Sequence, residues 1–171
     1  MRHRPPLLAA IALLASCAHR PAAPPWTVGE RAAGPLRVGM TVAEVGHALG
    51  AGFSVAYEMT DICDMVEAPG GPPDMTLMVV RDTLVRFDVT DRVTPTTAGL
   101  RVGSTEAEVH AAHGDRVRVE PNPHYWPEGH YLVVRSAADS LHGIVFETDG
   151  RRVIQYRAGR WPEVGGIEGC L

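Results

Sequence analysis

Lysine is absent from this 171-residue chain; all 16 basic residues are arginine. No fold requires that, and we read it as a bias of the coding sequence. A basic field is also missing. Asp and Glu number 20, the net charge is −4, and nothing here would hold a nucleic-acid backbone. No apolar run approaches the roughly 20 residues a membrane-spanning helix needs. Aromatics make up 6% of the chain, and there are 3 cysteines, too few for a disulfide-built scaffold. The catalytic signatures are missing too: no G-x-S-x-G, no S-x-x-K, no P-loop and no H-E-x-x-H. Neither a cofactor nor a metal is expected.

What is present begins at the N-terminus. Arg2 and Arg4 precede an apolar run, Leu7–Leu14, which ends in Leu14-Ala15-Ser16-Cys17. Such a run is too short to span and suits a secretory signal. Leu14–Cys17 resembles the lipobox of bacterial lipoproteins. That resemblance implies cleavage before Cys17 and lipidation of Cys17, with acyl chains forming a durable anchor. The alternatives are an ordinary secretory signal with a chance cysteine, or an uncleaved anchor. Ala18 follows Cys17; by the same resemblance this favours the outer membrane. Cleavage removes Arg2 and Arg4 and no acid, taking the net charge to −6. The expected organisation is a signal peptide over 1–16, a lipidated cysteine and flexible tether over 17–33, and two units over 34–94 and 95–171.

The two units share a phrase. "LRVGMTVAEVGHALG" starts at Leu36 and "LRVGSTEAEVHAAHG" at Leu100. Thr41 with Glu44, and Thr105 with Glu108, fit the capping box. Gly50 and Gly114 stand where a left-handed C-terminal cap is wanted. The spacing predicts short helices over Val42–Leu49 and Glu106–His113, with Val45 and Val109 facing the core. Strand signals follow each helix: "CDMVEA", "MTLMVV" and "TLVRFDV", then "RVRVE", "HYLVVRS", "GIVFET" and "RRVIQYRA". Arg81-Asp82 reads as a hairpin. Asp149-Gly150 reads as a two-residue type I′ turn, which would pair Thr148 with Arg151 and Glu147 with Arg152. The predicted class is α+β: two tandem repeats of a helix plus an antiparallel three-stranded meander. Their sheets would be able to merge, with both helices on one face and the other face open.

Gly39-Met40-Thr41, Glu44-Val45 and Gly50 resemble the G-M-T…E-V…L-G phrase of small outer-membrane lipoproteins of the SmpA/BamE type. The tandem arrangement resembles the beta-lactamase-inhibitor-protein fold, which implies one curved sheet shared by two helix-plus-sheet repeats. Phe146–Gly150 and Gly169-Cys170 resemble an uncharacterised bacterial envelope family ending in F-E-T-D-G…G-C. Two units in one chain depart from the single-unit assembly-factor pattern.

His110 and His113 stand i, i+3 on a helix, but His113 takes the place of core Leu49, so it reads as a packing residue. Asp61, Asp64 and Glu67 read as a solvated strand face. The densest unusual stretch is Pro121–Tyr131, which gathers His124, Tyr125, Trp126, His130 and Tyr131. Aromatic loops on rigid scaffolds often bind partners; the alternative is a loop folding its aromatics onto the sheet. With Cys17 lipidated, Cys63 and Cys170 remain as an even pair in an oxidising compartment, where a disulfide is expected; two free thiols are the rival. The leading function is a non-enzymatic periplasmic binding or scaffold module, lipid-anchored to the outer membrane and acting on an unknown envelope protein or ligand. The alternative is a small hydrolase or metal-dependent enzyme using the His/Tyr cluster.

Overall fold

The computed structural model describes residues 26–56 and 62–170. A two-residue pair, β1 (Ala32–Ala33) and β2 (Leu36–Arg37), precedes helix α1 (Val42–Leu49). Strands β3 (Cys63–Glu67), β4 (Met75–Val80) and β5 (Thr83–Val89) follow, then helix α2 (Glu106–His113). Strands β6 (Val117–Pro121), β7 (His130–Arg135), β8 (His142–Thr148) and β9 (Val153–Arg160) complete the sheet. Residues 1–25, and with them Cys17, the expected signal peptide and most of the expected tether, lie outside the described residues.

Both helices start as their sequences dictate. The Thr41 hydroxyl accepts from the Glu44 amide, and the Glu44 carboxylate accepts from the Thr41 amide at 2.8 Å. Thr105 and Glu108 repeat this, with the return bond at 2.6 Å. These backbone bonds hold both glutamate carboxyls below their usual pKa. The segments before the helices also dock alike. The Gly39 amide donates to Leu84 and the Leu84 amide to Met40; the Gly103 amide donates to Val153 and the Val153 amide to Ser104. Val42 donates to Asp82, and Glu106 to Arg151. Val45 and Val109 are fully buried in one core with Leu77, Phe87, Leu132, Phe146 and Tyr156.

The fold class departs from the predicted one. The described residues are mostly β, with two eight-residue α-helices among them. Instead of two three-stranded repeats, seven antiparallel strands form one sheet in the order β3-β4-β5-β9-β8-β7-β6. The second half supplies four strands. Its last strand, β9, pairs with β5 from Arg86↔Gly159 to Val89↔Tyr156, so each covers the other's open backbone edge. Among the described residues the outermost strands are β3 and β6.

Two local expectations also fail. The Asp149-Gly150 turn is not a two-residue loop: Thr148 pairs with Val153 and Glu147 with Gln155, so neither Thr148–Arg151 nor Glu147–Arg152 forms. The Asp149 carboxylate accepts from the amides of Arg151 (2.9 Å) and Arg152 (2.8 Å), while Arg152 and Val153 are held by the segment before α2. Asp64 is buried rather than solvated; Asp61 lies outside the described residues.

The face away from the helices is not open. Strand alternation sends Cys63, Met78, Tyr131, Val133 and Val145 to that side, and the tail after β9 lies across it. Val164 buries against Tyr131, Val133 and Val145. Arg86 donates through one nitrogen to the carbonyls of Glu163 (2.7 Å) and Gly166 (3.0 Å), and Arg157 Nε to that of Val164 (2.8 Å). Burial pulls the Arg157 guanidinium below its usual pKa, and pushes the Asp88 carboxyl up against the lowering effect of Arg86. A disulfide between Cys63 and Cys170, with Cα atoms 5.5 Å apart, ties the tail to β3.

Candidate functional site

The loop between β6 and β7 is organised by Asn122, which is fully buried. Its amide donates to the Gly129 carbonyl at 2.9 Å, and its carbonyl accepts from the Tyr125 amide. The side-chain oxygen accepts from the His124 amide at 3.0 Å, capping a 3-10 turn over Pro123–Tyr125. The side-chain nitrogen donates to Glu147 at 3.1 Å. Glu147 is itself buried on β8, taking a further bond from Gln155 at 2.7 Å and an ion pair with Arg157 at 3.5 Å. A network reaching across β8 and β9 therefore fixes the base of the loop.

The aromatics that the sequence groups together separate on this frame. Trp126 is 71% exposed and Tyr125 46%, and His124 also faces solvent. His130 and Tyr131 are consecutive in β7 and point to opposite faces. His130 Nδ1 lies 2.8 Å from Glu106 Oε1 at the start of α2, and the Thr148 hydroxyl donates to the same oxygen. Tyr131 lies buried on the tail side with the Arg157 guanidinium 5.4 Å from its ring. The five residues thus form no single convergent cluster. In the Glu106 group the carboxylate stands between hydroxyl and imidazole, whereas nucleophile activation needs the imidazole in the middle.

His113 packs its ring 5.9 Å from that of Phe146, and its Nε2 is buried with no hydrogen-bond partner among the described residues. Burial pulls its pKa below the usual value; nearby Arg116 adds to this and Glu30 opposes it. His110 is exposed. Among the described residues no three His, Cys, Asp or Glu side chains come together in a metal-binding group.

Two depressions lie away from the tip of the loop. A cavity of about 780 Å³ is lined by Trp26, Pro35, Ala48, Leu49 and Pro69, among others. A groove of about 250 Å³ lies on the tail side, between the tail and edge strand β6. The arginines of that groove were not singled out by the sequence reading. The alternation in "RVRVE" was the available signal, since it puts Arg116 and Arg118 on one side of a strand.

No family model matches the sequence, and no curated protein matches it. Among solved structures, the uncharacterized protein yfeY from Escherichia coli is similar at 14% identity, over 78% of this chain and 99% of that chain, with a TM-score of 0.44.

Proposed function

We propose that this protein is a non-enzymatic binding or scaffold module of the bacterial envelope. In this reading it is lipidated at Cys17, anchored to the outer membrane and facing the periplasm. It meets a protein partner through the tip of the Pro121–Tyr131 loop. The observation that carries the proposal is the solvent exposure of Tyr125 and Trp126 on a loop whose base is locked by buried Asn122 and Glu147. Large aromatics held rigidly in solvent lose little conformational freedom on binding, and such residues dominate the energetics of protein interfaces. The resemblance of Gly39–Gly50 to the SmpA/BamE phrase supports the envelope setting, and the Leu14–Cys17 lipobox supports the anchor.

The test places a photo-crosslinking side chain at position 126 in the producing cell. The expected result is an adduct of defined mass that disappears when Tyr125 is also changed to Ala. Absence of any adduct at position 126 would remove the interface. Anchoring is tested separately. Cys17→Ala should leave a soluble or unprocessed precursor, and a processed outer-membrane product from that variant would exclude lipidation.

A further inference from the structure

The tail covers the middle of the sheet and stops short of its β6 edge, leaving a groove of about 250 Å³. Val133 and Val145 contribute to its lining, and Trp161 and Ile167 of the tail stand opposite the edge strand. Arg116 precedes β6 and Arg118 lies within it; Arg135 ends β7 and Arg157 comes from β9. Among the lining residues the one carboxylate is Glu120.

The charges in this wall are unequally satisfied. Arg118 pairs with Glu120 at 3.1 Å and Arg116 with Glu30 at 3.2 Å. Arg157 shares Glu147 with Asn122 and Gln155. Arg135 has no carboxylate partner among the described residues. Its guanidinium lies 4.3 Å over the Trp161 ring and donates to the Ser140 carbonyl at 3.4 Å.

Two further donors are unused. Tyr131 is 95% buried in the groove wall, from a relative exposure of 5%, and its hydroxyl has no hydrogen-bond partner among the described residues. The same holds for Trp161 Nε1. A buried hydroxyl without a partner is costly and uncommon. The wall is therefore rich in donors: four guanidinium groups, three of them paired with a carboxylate, plus a phenol and an indole N–H without partners among the described residues. What it lacks is acceptors. Planar guanidinium groups match the oxygens of carboxylate and phosphate.

We propose that this groove is a binding site for a small oxyanion-bearing ligand, a carboxylate or a phosphate, with Arg118 and Arg135 as the accessible charges and Tyr131 as a neutral donor. It is separate from the aromatic loop tip and does not depend on that interface.

The experiment is calorimetric titration of the purified full chain with citrate and, in parallel, with inorganic pyrophosphate, at low and high salt. Saturable one-to-one binding of either probe is expected, weakened by salt; the tighter probe identifies the oxyanion. Arg118→Gln and Arg135→Gln lie at exposed positions and should each weaken binding about tenfold. Tyr131→Phe should weaken it severalfold while leaving the ligand-free melting temperature unchanged or higher, because no protein hydrogen bond is lost. Three results would overturn the proposal. One is no saturable binding of either probe up to about 10 mM. The second is binding that survives the Arg118→Gln/Arg135→Gln double variant. The third is a Tyr131→Phe variant that loses stability and keeps full affinity.

Discussion

The hairpin between β4 and β5 turns at Arg81–Asp82, while the one between β8 and β9 needs Asp149–Arg152. Both nevertheless deliver their second strand to the same kind of partner. Leu84 exchanges backbone bonds with Gly39 and Met40; Val153 does so with Gly103 and Ser104. Arg81 and Asp82 adopt positive φ (46° and 65°) without a glycine, which non-glycine residues rarely do. Asp149-Gly150 has the better sequence for a tight turn and does not make one. The docking of each strand beside its helix start is constant, and the turn adapts to it. The halves diverge beyond that point. The α1 half ends in a tight hairpin and contributes the cysteine of β3. The α2 half adds a fourth strand, the aromatic loop and the arginine groove.

The Cys63–Cys170 bond joins those halves, and breaking it should have the largest effect. A Cys63→Ser/Cys170→Ser double variant opens a loop of 107 residues, for which the chain-entropy model gives about 4–5 kcal/mol. Guanidinium denaturation should show a loss of that order or somewhat less. Hydrogen exchange should rise first at the tail and β3, with both helix starts still protected. Equal exposure of the helices would mean that the tail supports the whole fold.

Val45→Ala and Val109→Ala probe the shared feature. Both side chains are fully buried in one core, so each truncation should cost about 1–3 kcal/mol in urea unfolding. A large gap between the two values would break the equivalence of the helices. Thr41→Ala and Thr105→Ala test the caps. Each should cost about 1 kcal/mol, read by thermal unfolding.

The smallest effect sharpens the difference. Leu49 occupies the place in α1 that His113 occupies in α2. Burial, aided by Arg116, lowers the folded-state pKa of His113. The unfolded chain then binds more protons near its ordinary pKa of about 6.5. His113 should therefore contribute stability that is present above that pH and lost as pH falls through the lowered folded pKa. His113→Leu should flatten the change in urea midpoint between about pH 7 and pH 5. An unchanged slope would assign the acid sensitivity to other groups.

The helix limits were legible because they rest on contacts three residues apart: Thr41 to Glu44 and Thr105 to Glu108. The Cys63–Cys170 bond was legible from parity, once Cys17 is set aside for lipid. Sheet order was not legible. The β5–β9 pairing joins residues about 70 apart, and either strand could have found another neighbour. The covering of the second face depends on the tail, whose irregular sequence gives no period to read. Within the candidate site, the Pro- and Gly-punctuated loop was legible, but whether Tyr125 and Trp126 stand in solvent or fold onto the sheet was not, because local sequence does not say where the loop leans. The separation of His130 from Tyr131 follows from strand alternation alone once β7 is recognised. The organising role of Asn122 had no sequence signal, since its partner Glu147 lies two strands away in the sheet order.

The tie at Cys170 also bears on how such a protein wears out. A processive protease begins at a loose chain end, and ends that are not pinned are where nicking concentrates. Here the last turn of chain is closed back onto an edge strand, with Cys170 buried. While the bond is intact, the segment after β9 is held to the sheet at β3 as well as through Arg86 and Arg157, which leaves little slack there for a protease to grip. Reduction would leave that segment held only by the Arg86 and Arg157 hydrogen bonds and by buried Val164. The redox state of one bond would then set how readily this segment opens to nicking.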